Sequence, residues 1–177
     1  EKFLAKYLKG VEPQGGIVRA GAATIAHVGG NTRIEQSSER AVIDWRRFDV
    51  GAGEAVLFRQ PSRNSATLNR VTGEQLSMIL GRIDANGQVV LVNPNGIVFG
   101  KGAQVNVGAL IASTANISNA NFMDGRLNFD QPGQPGSSVV NQGRLSAADG
   151  GLIALVAPHV RNDGLIEAPG GQVLLAA

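Results

Sequence analysis

The chain has 177 residues, a length that lets one domain bury a core without disulfide or metal staples. Its formal net charge is +2, its charged residues make up 17% and cysteine is absent. That balance argues against a nucleic-acid surface, which needs a dense basic face, and the missing thiols exclude disulfides, thiolate catalysis and Cys-ligated zinc.

Residues 1–10 form a segment of their own. Phe3, Leu4, Tyr7 and Leu8 share one helical face, so the segment reads as a short amphipathic cap or as a remnant foreign to the domain. From Ile17 onward the pattern is strand, turn, strand. Candidate strands are Ala22–Val28, Thr32–Gln36, Ala41–Trp45, Ala55–Arg59 and Ala66–Val71, in a series whose members are mostly three to six residues long and bounded by turn formers. Thr72 and Gln75 then form a capping box ahead of Leu76, Ile79 and Leu80, and Gly81 ends the run, which predicts one or two helical turns. Strands resume at Val89–Val92, Ile97–Phe99, Gln104–Val107 and Leu110–Ala112. Residues 116–138 break the rhythm. There, strand-like flanks around Asp124-Gly125 predict a β-hairpin over 121–129, followed by a Pro- and Gly-rich exposed loop. Val139–Asn141, Leu152–Ala157 and Gln172–Ala176 complete the series. The last strand runs to the end of the sequence, as expected of the leading piece of a longer protein.

A repeat joins the last elements. Asn141-Gln142-Gly143-Arg144-Leu145 matches Asn162-Asp163-Gly164-Leu165-Ile166 at an offset of 21, which also carries Gly150 onto Gly171 and Ile153 onto Leu174. A period of 20-odd residues marks a solenoid, whose coils bury their faces only against one another. The leucine-rich pattern is missing and helical repeats need longer units, so a parallel β-helix remains. Such a coil has a narrow lumen suited to Val, Ile, Leu and Ala rather than large aromatics. The 24 glycines, about twice the usual ~7% share, have a place at its corners as residues tolerant of φ > 0, among them Gly87, Gly96, Gly143, Gly150, Gly164 and Gly171. Asparagines at equivalent corners can stack into amide ladders.

Signals of chemistry are weak. Gly96–Gly102 is one residue short of a phosphate loop and has Gly102 where a magnesium-binding hydroxyl is needed. His27 and His159 are 132 residues apart and outside any zinc motif. Asp44, Asp49, Glu54, Arg59 and Arg63 are candidates for a carbohydrate-processing face, but their spacing does not force two carboxylates to the ~5–9.5 Å separation of a glycosidase. The distinctive strings are Asn64-Ser65-Ala66-Thr67-Leu68-Asn69-Arg70-Val71 and Asn93-Pro94-Asn95-Gly96-Ile97. In the second, Pro94 fixes φ while Asn95 and Gly96 tolerate φ > 0, so the string reads as a rigid corner tying adjacent coils, or as an exposed recognition signature. Asn69 is expected to satisfy backbone groups at a bend, and Arg70 to pair with a carboxylate or to face a partner.

With Pro13-Gln14-Gly15-Gly16, Ala41–Phe48 and Ala112-Ser113-Thr114, these strings appear in an order that resembles the two-partner secretion domain, also called the filamentous haemagglutinin-type N-terminal domain. The resemblance spans about residues 13–177. It implies an all-β, right-handed parallel β-helix, here with an extra-helical hairpin and at most one short helix, in a domain over 11–177. It also implies a non-enzymatic role without cofactor or metal, and export through the periplasm to the cell surface after removal of a signal peptide. The implied partner is a dedicated outer-membrane β-barrel transporter, whose periplasmic POTRA domains recognise a domain expected to be monomeric. Asn64, Asn69, Arg70, Asn93, Pro94, Asn95 and Gly96 are then the secretion-motif residues. Two rival readings are a carbohydrate-binding or carbohydrate-active β-helix, and an adhesin using the hairpin at 121–129.

Overall fold

The computed structural model describes residues 11–177, so the amphipathic reading of residues 1–10 lies outside the described part. The chain opens with β1 (Ile17–Ala20), β2 (Ala23–Val28), β3 (Asn31–Gln36), β4 (Arg40–Trp45), β5 (Ala55–Arg59) and β6 (Ala66–Val71). Next come β7 (Ser77–Ile79), β8 (Arg82–Ala85), β9 (Gln88–Val92), β10 (Ile97–Phe99), β11 (Gln104–Val107) and β12 (Ala109–Ser113). A short helix, α1 (Asn119–Met123), precedes β13 (Ser138–Asn141), β14 (Arg144–Ala147), β15 (Leu152–Val156), β16 (His159–Asn162), β17 (Leu165–Glu167) and β18 (Gln172–Ala176).

Among β3 to β18 no strand pairs with its neighbour in sequence; they pair with one another in parallel, each with a strand one coil away, which makes a parallel β-solenoid of three sheets. The first sheet is ordered β1-β4-β6-β9-β12-β15-β18, the second β2-β3-β5-β8-β11-β14-β17 and the third β7-β10-β13-β16. At the N-terminal end β1 and β2 run antiparallel to β4 and β3, covering edges that would otherwise leave a row of unpaired amides. Coil length varies along the axis, and the coil that includes residues 114–137 is the longest, Leu110 pairing with Ile153 at an offset of 43. Arg40 pairs with Ala66 and Ala55 with Arg82, offsets of 26 and 27, whereas Gln88 pairs with Ala109 at 21.

Inward-facing residues at period 2 build one continuous core, from Ile34, Ile43 and Phe58 through Leu91 and Phe99 to Leu145 and Ile153. This lumen is not free of large aromatics. Trp45, Phe48, Phe58 and Phe99 are fully buried in it, Trp45 and Phe48 edge-to-face at 5.6 Å, and Trp45 and Phe58 belong to the coils with offsets of 26 and 27. A second cluster lies on the outer face of the first sheet, where Val42, Leu68, Val90, Val92, Ile111 and Ala154 meet Ile117 and Phe122. The first sheet is therefore buried on both sides at its central strands, and β9 and β12 read as continuous apolar runs.

Three sequence expectations are corrected. Residues 72–81 are a bend followed by β7, not a helix: Ser77 and Ile79 pair with Ile97 and Phe99, and Thr72 Oγ1 donates to the carbonyl of Trp45 instead of capping a helix. Three apolar residues suit either period, and lateral pairing with β10 selects the strand. No hairpin forms over 121–129 either. Asp124 is the C-cap of α1 and Gly125, at φ 78°, closes it, with its N–H on the Phe122 carbonyl at 3.0 Å. A helix C-terminus and a type I′ turn both call for a left-handed glycine, so Asp-Gly does not distinguish them. Lastly, the offset of 21 holds at Asn141–Asn162 and Arg144–Leu165 but falls to 20 at Leu152–Gln172, so Ile153 pairs with Val173. The turn after β17, Pro169-Gly170-Gly171, is one residue shorter than Ala148-Asp149-Gly150-Gly151 after β14, so the register beyond it slips by one.

Of the six corner glycines named from sequence, only Gly96 and Gly150 have positive φ. The others are glycine because coils touch there. A Cβ on Gly171 would lie 1.9 Å from the carbonyl oxygen of Gly151, and one on Gly151 would lie 2.2 Å from that of Gly108.

Candidate functional site

The residues singled out by sequence lie on and around β6 and the corner after β9. In β6 alternation sends Asn69 inward and Arg70 outward. Asn69 is fully buried; its Oδ1 accepts from the Trp45 indole N–H at 3.0 Å, and its Nδ2 donates to the carbonyls of Val90 and Thr67 at 3.3 and 3.4 Å. It ties β4 to β9 through the lumen, between the coils rather than at a bend.

Arg70 stands on the outer face beside Val92. Its Nη1 donates to Asp44 Oδ1 at 3.0 Å, its Nε to Asn116 Oδ1 at 2.8 Å and its Nη2 to the Ile117 carbonyl at 2.6 Å. Asp44 is also held by Arg19, at 3.2 Å from Oδ2. Arg70 thus does pair with a carboxylate, and its remaining donors hold the segment that leaves the sheet after β12.

Asn93, Pro94, Asn95 and Gly96 form the corner between β9 and β10. Asn93 is fully buried: Nδ2 donates to the Gln75 carbonyl at 3.0 Å and to Ser77 Oγ at 2.9 Å, while Oδ1 accepts from the backbone and side-chain amides of Asn95 at 2.9 and 3.1 Å. Asn95 Nδ2 reaches the Gly73 carbonyl at 2.9 Å. Both side chains fasten the corner to the coil before it, while the Asn93 N–H donates to Ser113 of the coil after it, at 3.0 Å. The Gly96 N–H closes the turn on the Asn93 carbonyl at 3.1 Å with Gly96 at φ 122°, a conformation that L side chains rarely adopt. The Pro94 carbonyl faces outward and accepts from the Gln134 N–H at 2.9 Å.

Asn64 is not part of this group. It is exposed on the turn between β5 and β6, where it lines a groove of about 270 Å³ with Arg63, Leu127 and the glycines of the next coils. The carboxylates considered for a carbohydrate face do not converge: Asp44 is shared by two arginines, and Asp49 is buried, accepting from the Met78 N–H at 2.8 Å and pairing with Arg47 at 2.9 Å. Among the described residues no His, Cys, Asp and Glu cluster could hold a metal ion.

Sequence reasoning missed two sets of residues. Gln36, Thr67 and Gln60 form a buried chain: Gln36 Oε1 accepts from the Thr67 hydroxyl, and Gln60 Nε2 donates to Thr67 Oγ1 at 3.0 Å. Gln36 and Thr67 occupy buried positions of β3 and β6, and Gln60 directly follows β5. Asn116, which receives Arg70, lies two residues past the Ala-Ser-Thr string and had no signal of its own. The expected amide ladder is present at another corner, where Asn141 Nδ2 donates to Asn162 Oδ1 at 3.0 Å.

Comparisons with known proteins agree with this geometry. The family model of the TPS secretion domain matches residues 9–177. A heme/hemopexin-binding protein of Haemophilus influenzae strain Rd is 37% identical over 174 residues, covering 93% of this chain and 19% of that protein. A second H. influenzae heme/hemopexin-binding protein is 44% identical over 84 residues, covering 48% of this chain and 9% of that protein. The chain thus spans about a fifth or less of these curated relatives. The crystal structure of the HMW1 secretion domain from H. influenzae superposes with a TM-score of 0.87 at 40% identity, covering 93% of this chain and 45% of that one. The matched family model, the relative aligned along nearly the whole chain and the shared three-sheet solenoid place this chain in the two-partner secretion (TPS) domain family.

Proposed function

We propose that residues 11–177 act as the secretion-directing domain of an exoprotein, recognised in the periplasm by the POTRA domains of a dedicated outer-membrane β-barrel and delivered through it to the cell surface. The observation that carries this reading is the TPS match over residues 9–177, joined to a solenoid that superposes on the HMW1 secretion domain. The domain does this as a monomer, without catalysis. A solenoid whose every coil is completed by the next can begin folding as it emerges and so bias movement outward. The dispersal of Asp44 and Asp49 into separate ion pairs supports a non-enzymatic role over a carbohydrate-active one.

In this reading Asn93, Asn95, Gly96, Asn69 and Arg70 act by holding the recognised shape, and Asn64, exposed, is the motif residue open to direct contact. The test is export in a Gram-negative host with and without the cognate barrel, together with binding of the purified domain to the soluble POTRA fragment. Secretion should vanish without the barrel while intracellular expression persists. Undiminished secretion in its absence would overturn the proposal.

A further inference from the structure

Residues 114–137 leave the solenoid after β12, form α1 and return at β13. They make a strap across the outer face of the first sheet, and three independent sets of contacts fasten it. Ile117 and Phe122, with Met123 and Phe129 beside them, cover Val42, Leu68, Val90, Val92, Ile111 and Ala154, contributed by β4, β6, β9, β12 and β15. Arg70 holds the strap's start through Asn116 and the Ile117 carbonyl. Pro94 holds its end: its carbonyl accepts from Gln134, and a Cβ on Gly133 would lie 2.9 Å from that same oxygen. Both sequence strings that distinguish this chain therefore carry a fastening point for one segment.

The order of the chain adds a constraint. The strap precedes β15, yet β15 supplies Ala154 to the seat, and the strap's root is set by the Thr114 N–H on the Val156 carbonyl at 3.0 Å. Before β15 is in place the seat lacks its last row and the root lacks its partner. We infer that the strap is a closing lock: it engages only after β15 has docked, and it then fastens the coils from β4 to β15 into one cooperative unit, with Arg70 and the Pro94 carbonyl as its latches. Without it, stacked coils would open from their ends with only nearest-neighbour coupling.

The full chain reports on the lock in two ways. Amide exchange follows the N–H groups of Asn116, Phe122 and Asp124, which are bonded to Gln131, Ser118 and Ala120; trypsin follows the exposed Arg126–Leu127 bond. Arg70→Met should speed exchange in the strap and cleavage after Arg126 by about tenfold or more. Ala154→Asp should do the same although it leaves Arg70, Asn116 and Pro94 untouched. Val140→Asp, a comparable charge on the outer face of the third sheet, should leave the strap protected relative to the remaining strands. Should Ala154→Asp fail to fold, Phe122→Ala reads the coupling from the other side, because a lock is reciprocal and β15 amides must then lose protection too. Unchanged strap exchange in Arg70→Met and Ala154→Asp, equal loosening by Val140→Asp, or β15 protection indifferent to Phe122→Ala would each overturn the inference.

Discussion

A buried indole has one proton to place, and Trp45 places it on Asn69. Asn69→Ala would leave that N–H unsatisfied in the lumen, at a cost of about 1–3 kcal/mol for an orphaned buried group. Trp45→Phe removes the need for the acceptor. Asn69→Ala should therefore cost less when introduced into Trp45→Phe than into the parent chain, and urea unfolding of the four proteins measures the difference; equal costs in both backgrounds would show that the Trp45–Asn69 bond contributes nothing. At the corner, Asn93 must donate and accept at once. Asn93→Asp keeps the acceptor, loses both donated bonds and places a carboxylate facing the Gln75 carbonyl, so it should cost more than Asn95→Ala, which gives up chiefly the bond to Gly73. Thermal melts of the two variants give the ranking.

At the scale of the element, what the sequence disclosed depended on whether the signal was local. Ala55–Arg59, Ala66–Val71, Ile97–Phe99 and Gln104–Val107 have the boundaries that alternation and turn residues predict. The three-residue strands β7 and β17 were hidden, whereas β10, equally short, is bracketed by Gly96 and Gly100. Of the site, the corner was legible from Pro94 and the Asn-Gly pair, whereas the strap's seat was not: Leu68, Val90 and Ile111 read as ordinary core, and only the fold shows that they face outward beneath α1. The glycines show the same division. Gly150 has φ 78° and open space where a Cβ would be, so Gly150→Asn should be nearly neutral, within about 1 kcal/mol. Gly151 has no such φ, but its Cβ would press on the Gly108 carbonyl. Gly151→Ala must separate two coils, and should cost at least about 2–3 kcal/mol by the measure of overpacked cores. Denaturation of the two adjacent variants decides whether coil contact or backbone conformation keeps the second position as glycine.

At the scale of the whole molecule, stability and recognition can be separated because coil stacking depends on residues outside the motifs as well as within them. Asn93 and Asn95 spend their side chains on Gln75, Ser77 and Gly73, inside the stack, so their substitution changes coil-to-coil contact before it changes any outer surface. Gly151 lies outside every motif, yet its substitution attacks the same stacking. If secretion requires the stacked corner as a shape, export should follow the melting temperature: Gly151→Ala and Asn93→Ala, compared at equal loss of stability, should lower secretion equally, and Gly150→Asn should leave it at the parental level. Asn64→Ala provides the opposite case. The residue is exposed, so its loss should leave the melt nearly unchanged, within about 0.5 kcal/mol, and any fall in export then measures contact with the transporter. A secretion defect in Asn93→Ala well beyond that of an equally destabilised Gly151→Ala would instead assign the corner itself to recognition.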